Sequence, residues 1–145
     1  MTASTTNGHV RARGETLAQI STSLVQLHSR YYGKGPTKAK THLIDDLVVC
    51  TLQGGFTTVE RTLIETGGRE SVHQMRRSFQ LAMEEEFKRV VEDASGRKVI
   101  AYMSSINVDP DLAVELFVLE PLPEIEEIPI PSAVANGDGH GPASD

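Results

Sequence analysis

Residues 33–55 read GKGPTKAKTHLIDDLVVCTLQGG, and the fold is decided in this stretch. Gly33 accepts the left-handed conformation cheaply, so it is a natural stop for the helical pattern before it. In Thr37 to Ile44, Ala39, Thr41 and Leu43 alternate with Lys38, Lys40 and His42. That is the period of a strand with one covered face. Leu47-Val48-Val49-Cys50-Thr51-Leu52 is more continuously apolar, as a central strand would be. Asp45-Asp46 between the runs is short enough for a hairpin turn, although it is not the favoured Asn-Gly pair. Gly54-Gly55 breaks the second strand.

Upstream, Leu17, Ile20, Leu24, Leu27 and Tyr31 recur at spacings of three and four, which predicts a helix over about Glu15 to Tyr32 with these residues on one face. Downstream, Thr57 and Glu60 match a capping box and open a short helix, Thr58 to Glu65. Thr66-Gly67-Gly68 interrupts it. A long helix over about Arg69 to Ala94 carries the stripe Val72, Met75, Phe79, Met83, Phe87, Val90 and Val91, which is core material rather than a cofactor box. Gly96 stops it. Lys98 to Asn107 reads as a third strand, with Val99, Ala101 and Met103 on one side and Ile100, Tyr102 and Ser104 on the other. A turn at Val108 to Asp111 leads to a fourth strand, Leu112 to Leu119.

The order α-β-β-α-α-β-β gives an α+β fold, with two hairpins in a mostly antiparallel four-stranded sheet packed with two or three helices. Residues 1–13 read as a flexible arm and 14–120 as one domain. Residues 121–145, rich in Pro, Gly and acids, read as a disordered tail. Its apolar-acidic piece Glu124 to Ile130 is a candidate partner segment. The strand order is not readable from one sequence.

The bulk numbers exclude several function classes. A chain of 145 residues can bury a real core without metals or disulfides. The net charge is −6, and all but one of those charges lie in residues 121–145, which hold five acids and no Lys or Arg. A near-neutral folded part argues against DNA and makes RNA a weak alternative, since both expect a basic face. The single cysteine, Cys50, sits in an apolar run and fits a reducing cytoplasm. No apolar window approaches a membrane span, and the polar start lacks a secretory signal. The chain is therefore expected to be cytoplasmic, with no direct membrane insertion and no channel or pump activity of its own.

Gly33-Lys34-Gly35-Pro36 offers backbone N–H groups and an ammonium to an anion. It follows a helix rather than opening one, so the helix dipole opposes an anion there, and a structural turn is the plainer reading. On the long helix, Arg69, His73, Arg76 and Arg77 cluster on or beside one face. With Lys38 and Lys40 they suit a carboxylate, phosphate or bicarbonate. The plainer alternative is a solvated flank paired with Glu70, Glu84 or Glu85, and such pairs contribute little. The candidate anion set is Gly33, Lys34, Gly35, Lys38, Arg69 and Arg76. An RNA reading would use Lys34, Lys38, Lys40, Arg76 and Arg77. His28, His42 and His73 are scattered, with His9 and His140 near the ends, so no metal or cofactor is expected. Asp45-Asp46 is more cheaply explained by turn chemistry than by a metal. Ser104-Ser105 lacks a nucleophile-elbow context, and no catalytic constellation stands out.

A series of motifs carries a resemblance: Tyr32-Gly33-Lys34-Gly35-Pro36, Ile44-Asp45-Asp46-Leu47, Thr58-Val59-Glu60 with Leu63, Gly68-Arg69 with Val72 and Arg76, Gly96-Arg97-Lys98-Val99, and Phe117-Val118-Leu119. In order and spacing they resemble the MpsC-like family, the third component of a sodium-translocating, membrane-potential-generating system, over about residues 15–120. The resemblance implies association with membrane proteins of sodium transport, or of inorganic-carbon uptake in related systems. Ser104-Ser105-Ile106-Asn107 departs from an acidic residue often found there in the family.

The resulting expectation is a non-catalytic, cytoplasmic accessory or regulatory domain that self-associates and serves a membrane transport subunit. A small-anion-binding homo-oligomer is the alternative, and an RNA-binding module a further one. The dimer expectation rests on the long apolar helix and the unprotected edges of a four-stranded sheet.

Overall fold

The computed structural model describes residues 2–122, with side chains from Arg13 onward. The tail readings, including Glu124 to Ile130 and His140, lie outside these residues, as does the His9 side chain.

Helix α1 spans Thr2–Tyr32. It takes in the residues read above as an arm and begins well before Glu15. Ile20, Leu24 and His28, at four-residue spacing, are buried. Tyr31, placed on the inner face by the sequence pattern, stands 45% exposed, and His28 holds the inner position instead. At Gly33 the chain takes φ 78°, and the Gly33 N–H donates to Ser29 O at 2.9 Å. The helix stop is the one expected from a residue without Cβ.

Strands β1 (Lys38–Ile44) and β2 (Leu47–Gln53) form the expected antiparallel hairpin, in register from Lys38↔Gln53 to Ile44↔Leu47. Asp45 turns the chain at φ 54°. Helix α2 (Thr58–Glu65) opens with the full capping box. The Glu60 N–H donates to Thr57 Oγ1 at 3.1 Å, and the Thr57 N–H donates to Glu60 Oε1 at 2.9 Å. Helix α3 (Arg69–Ser95) ends at Gly96, which takes φ 71° and closes the last turn on Glu92 O. Strands β3 (Val99–Asn107) and β4 (Leu112–Leu119) form the second hairpin.

The sheet order is β1-β2-β4-β3, and every pairing is antiparallel. The two hairpins join through β2 and β4, so the continuously apolar β2 is central, as its composition requires. A register shift between Val99 and Ala101 resets the alternation of β3. Strict alternation would group Val99 with Ala101 and Met103. The bulge at Ile100 instead sends Val99 inward while Ile100 stays 55% exposed, as bulges re-aim side chains.

Helices α1 and α3 cover one face of the sheet. Ile20 and Leu24 of α1 and Met83, Phe87 and Val91 of α3 pack with Val48, Cys50, Leu52, Val99, Phe117 and Leu119. Burying each large side chain of this kind contributes about 1.5–3 kcal/mol. The register also aligns a polar row across the covered face: Thr41, Cys50, Glu115 and Ser104. Apolar rows flank it, Leu43-Val48-Phe117-Tyr102 on one side and Ala39-Leu52-Ala113-Ile106 on the other.

Candidate functional site

The loop from Gly54 to Thr57 is tied down by four hydrogen bonds to three residues. The Gly54 N–H donates to Asp111 O at 3.2 Å and the Phe56 N–H to Asp111 Oδ2 at 3.0 Å. Lys34 Nζ donates to Phe56 O at 3.1 Å, and Arg76 Nη2 donates to Gly55 O at 3.0 Å. Arg76 also donates from Nε and Nη2 to the two Glu60 oxygens, each at 2.5 Å. Its guanidinium lies 3.9 Å from the centroid of the Tyr32 ring. Glu60 therefore serves twice, as cap of α2 and as counter-ion of Arg76, with no exposed surface. Burial would push the Glu60 carboxyl up, but the Arg76 and Thr57 hydrogen bonds outweigh it and hold the carboxyl below its ordinary value. Burial likewise acts to lower Arg76, but Glu60 and the surrounding charges hold it above its ordinary value. The pair is bidentate and desolvated, a geometry that the guanidinium fork allows and a lysine does not.

Beside this pair a cleft of about 190 Å³ opens between the first half of α3 and β3. Glu70, His73, Gln74, Arg77 and Gln80 form one wall, Ser104, Ser105 and Ile106 the other, with Arg76 at its base. Ser104 Oγ and Tyr32 Oη are buried with no partner in full hydrogen-bond geometry, but Ser104 lies close enough to Glu115, and Tyr32 to Arg76, to interact with them. Arg77 is exposed and has no ion pair among the described residues.

Behind Ser104 lies Glu115, 1% exposed in mid-sheet. Tyr102 Oη donates to its Oε2 at 2.5 Å. His28 Nδ1 sits 2.7 Å from Leu24 O, which fixes Nδ1 as the protonated nitrogen, and Nε2 lies 3.7 Å from Glu115 Oε1. Burial pushes the Glu115 carboxyl up to about 7, against the opposing pull of the Tyr102 and Ser104 hydroxyls and the Arg76 charge. Burial also lowers His28, opposed by its bond to Leu24 and reinforced by Arg76. Both groups are thus biased toward neutral forms. Cys50, next in the same row, is pushed up to about 11 by burial, so it remains a thiol.

The opposite face of the sheet is apolar toward its Ile44 end and polar toward its Lys38 end, and no described helix packs on it. Its rows are Ile44-Leu47-Val118-Ala101 and His42-Val49-Leu116-Met103, followed by Lys40-Thr51-Val114-Ser105. Ile44 is 58% and Met103 51% exposed. Four strands about 4.8 Å apart and roughly eight residues long present about 450 Å² in projection. That projection includes the polar rows, and as a whole it falls in the middle of the roughly 300–600 Å² range for the largest apolar patch on a monomer, which is often functional.

The six residues of the candidate anion set do not converge. Lys34 and Arg76 meet at the Gly54–Thr57 loop, but each is committed to protein acceptors. Gly35 packs closely on α1, where an added Cβ would meet Val25 O and Ser29 Cβ at 3.1 Å. Lys38 is on the edge strand β1 and Arg69 at the start of α3, both exposed. Nor is Arg76 paired with the acids of its own helix; Glu84 and Glu85 pair with Lys88. Its burial also withdraws it from the surface that the RNA reading needs, leaving Lys38 and Lys40 together on β1. Of the set, Arg76 alone lines the α3–β3 cleft. Among the described residues no group of three or more His, Cys, Asp or Glu could hold a metal ion, and no helix is long and apolar enough to cross a membrane.

The sequence reading passed over Glu60, His28 and Glu115 as buried polar groups. A signal was present. His28 extends the Ile20-Leu24 spacing, Arg76 follows Val72 by four, and Glu115 alternates with Ala113, Phe117 and Leu119. Each is a polar residue at a core-periodic position.

The sequence pattern of the family described as "Na+-translocating membrane potential-generating system (MpsC)" matches residues 12–121. The chain belongs to the MpsC family. It is 30% identical over 97 residues to the uncharacterized protein YrhF of Bacillus subtilis, covering 66% of this chain and 80% of that one. It is 25% identical over 112 residues to the uncharacterized protein YbcI of the same organism, covering 75% and 89%. No solved structure matches. In this MpsC-family chain the motifs that carried the resemblance pair up in space. The Arg76–Glu60 pair joins two of them, and Arg97 Nη2 donates to Asp46 Oδ1 at 2.5 Å, joining two more. Arg97 also reaches Glu120 O at 2.8 Å. These motif pairs therefore help hold the fold together, while Ile44, Leu47 and Val118 of the same motifs stand on the open sheet face.

Proposed function

We propose that this chain is a non-catalytic, cytoplasmic accessory domain that acts by protein association, in the service of the Na+ system its family is named for. The observation that carries the reading is the uncovered sheet face. An apolar face of this extent is costly to leave in water, and protein association is the usual reason for one. Its occupant is a second copy of the chain. With its apolar rows at one end, the face can meet the same end of a second copy across a two-fold axis. Two such sheets pack about 10 Å apart with strands near −30°.

The test uses tagged and untagged full-length chains expressed together and captured from both membranes and cytosol. Recovery of the untagged copy with the tagged one supports self-association, and its absence contradicts it. Recovery of an integral membrane transport subunit from the membrane fraction supports the accessory role. Capture of the chain alone from both fractions contradicts that role and leaves the dimer standing.

A further inference from the structure

His28 and Glu115 meet between α1 and β4, apart from both the open sheet face and the Arg76–Glu60 pair. The His28 ring is held by stacking on Phe87, 5.2 Å between centroids, and by Nδ1, 2.7 Å from Leu24 O. A carbonyl only accepts, so Nδ1 carries a proton and Nε2 is left with a lone pair. Nε2 lies 3.7 Å from Glu115 Oε1, while Oε2 already accepts from Tyr102 Oη. Two acceptors therefore stand opposite each other, on side chains only 7% and 1% exposed. One proton between them joins them. Without it, a buried carboxylate meets a nitrogen lone pair and neither is compensated.

The titratable and charged groups around the pair leave that proton to it. They are Tyr32 on α1, Cys50 on β2, Tyr102 on β3 and Arg76 on α3, with Glu60 behind Arg76 and Glu84 beyond Tyr102. Burial raises both tyrosines and pushes the Cys50 thiol up to about 11, so all three stay neutral at ordinary pH. The Arg76 charge is matched by Glu60, and Glu84 pairs with Lys88.

We infer that His28 and Glu115 form a one-proton latch between α1 and the sheet, closed by a proton held between Nε2 and Oε1 and released when that proton leaves. Proton counting, with the Nδ1 proton set aside, gives the direction. When α1 lifts, both groups meet water and return to their ordinary values, 6.5 for His28 and 4.5 for Glu115. The open form then holds two protons below 4.5, one between 4.5 and 6.5, and none above 6.5. The closed form holds one until Glu115 ionises at about 7. The latch is therefore tightest between 4.5 and 6.5. Opening increases by roughly three-fold over the next half unit of pH, at about ten-fold per unit, and then levels off.

Cys50 is the probe. It is the chain's only cysteine, it is fully buried, and the Ser21 hydroxyl of α1 lies against its thiol. A maleimide reaches it only when α1 lifts or the chain unfolds. The experiment measures Cys50 labelling of the full-length chain across neutral and mildly acidic pH, each rate divided by that of the urea-unfolded chain at the same pH. The parent should stay flat up to pH 6.5. Glu115→Gln keeps only the histidine and should label about ten-fold faster for each unit that pH falls below 6.5. His28→Gln keeps only the carboxyl and should label about ten-fold faster for each unit that pH rises from 4.5 toward 7. Opposite slopes in the two variants support the latch. A common slope, or labelling as sensitive to low urea as global unfolding is, would overturn it. Should a variant fail to fold, carbon-13 and nitrogen-15 shifts of the two side chains in the parent decide the matter. Between pH 4.5 and 6.5 the pair should carry one proton, and a carboxylate facing a neutral imidazole there would overturn the latch.

Discussion

At the scale of single residues, the buried charged groups do the most to distinguish this chain from a generic α+β domain. Arg76→Gln would leave Glu60 as an uncompensated buried carboxylate. Breaking a pair of this kind costs about 3–5 kcal/mol. Denaturant unfolding should show that loss, whereas Arg69→Gln at the exposed helix start should change stability by less than about 0.5 kcal/mol. Glu115 makes a prediction about pH. Its folded pKa, pushed up to about 7, lies above the ordinary 4.5. The folded state therefore binds the extra proton between those values, and the Glu115 contribution to stability is lost as pH rises through that window. His28 acts in the opposite sense. Its lowered pKa means that stability falls as pH drops below 6.5. The two partly cancel in the parent, so the difference between parent and Glu115→Gln isolates the carboxyl. From pH 4.5 to 7 the variant should gain stability relative to the parent. A constant difference would contradict the burial argument.

At the scale of elements, the punctuation was legible and the polar core was not. Gly33, Asp45-Asp46, the Thr57/Glu60 box and Gly96 each mark a boundary by local chemistry, and the structure turns or caps at each. The start of α1 was missed because Thr2 to Arg13 is polar and shows no apolar period. The bulge at Ile100 was missed because alternation has no local mark for one extra residue. Tertiary partners decide the remainder. Nothing near Arg76 in sequence reveals Glu60, sixteen residues earlier, as its counter-ion. The same double role orders the caps of α2. Thr57→Ala should cost about 1 kcal/mol, the usual value of an N-cap. Glu60→Ala should cost more, because it removes the reciprocal cap bond and also strands Arg76. Equal losses in thermal unfolding would show that the Arg76 pair contributes nothing.

At the scale of the whole molecule, one sheet face is covered by α1 and α3 and the other is not. The hairpin order was readable, and the central place of β2 followed from its unbroken apolar run. The order β1-β2-β4-β3 was not readable, and without it the open rows Val49-Leu116-Met103 and Leu47-Val118-Ala101 cannot be assembled. The sequence argument for a dimer pointed to strand edges and the long helix. The structure instead concentrates apolar surface on the open face, so the site of association moves there. The Leu116 side chain stands on this face, opposite Val49 and Met103, and is not part of the core cluster. The most direct measurement is the light-scattering mass of the full chain and of Leu116→Lys at micromolar concentration. The parent is expected at twice the 15.8 kDa chain mass, and the variant, with an unchanged far-ultraviolet spectrum, at the mass of one chain. A parent that scatters as a single chain, or a variant that stays dimeric, would contradict association through this face.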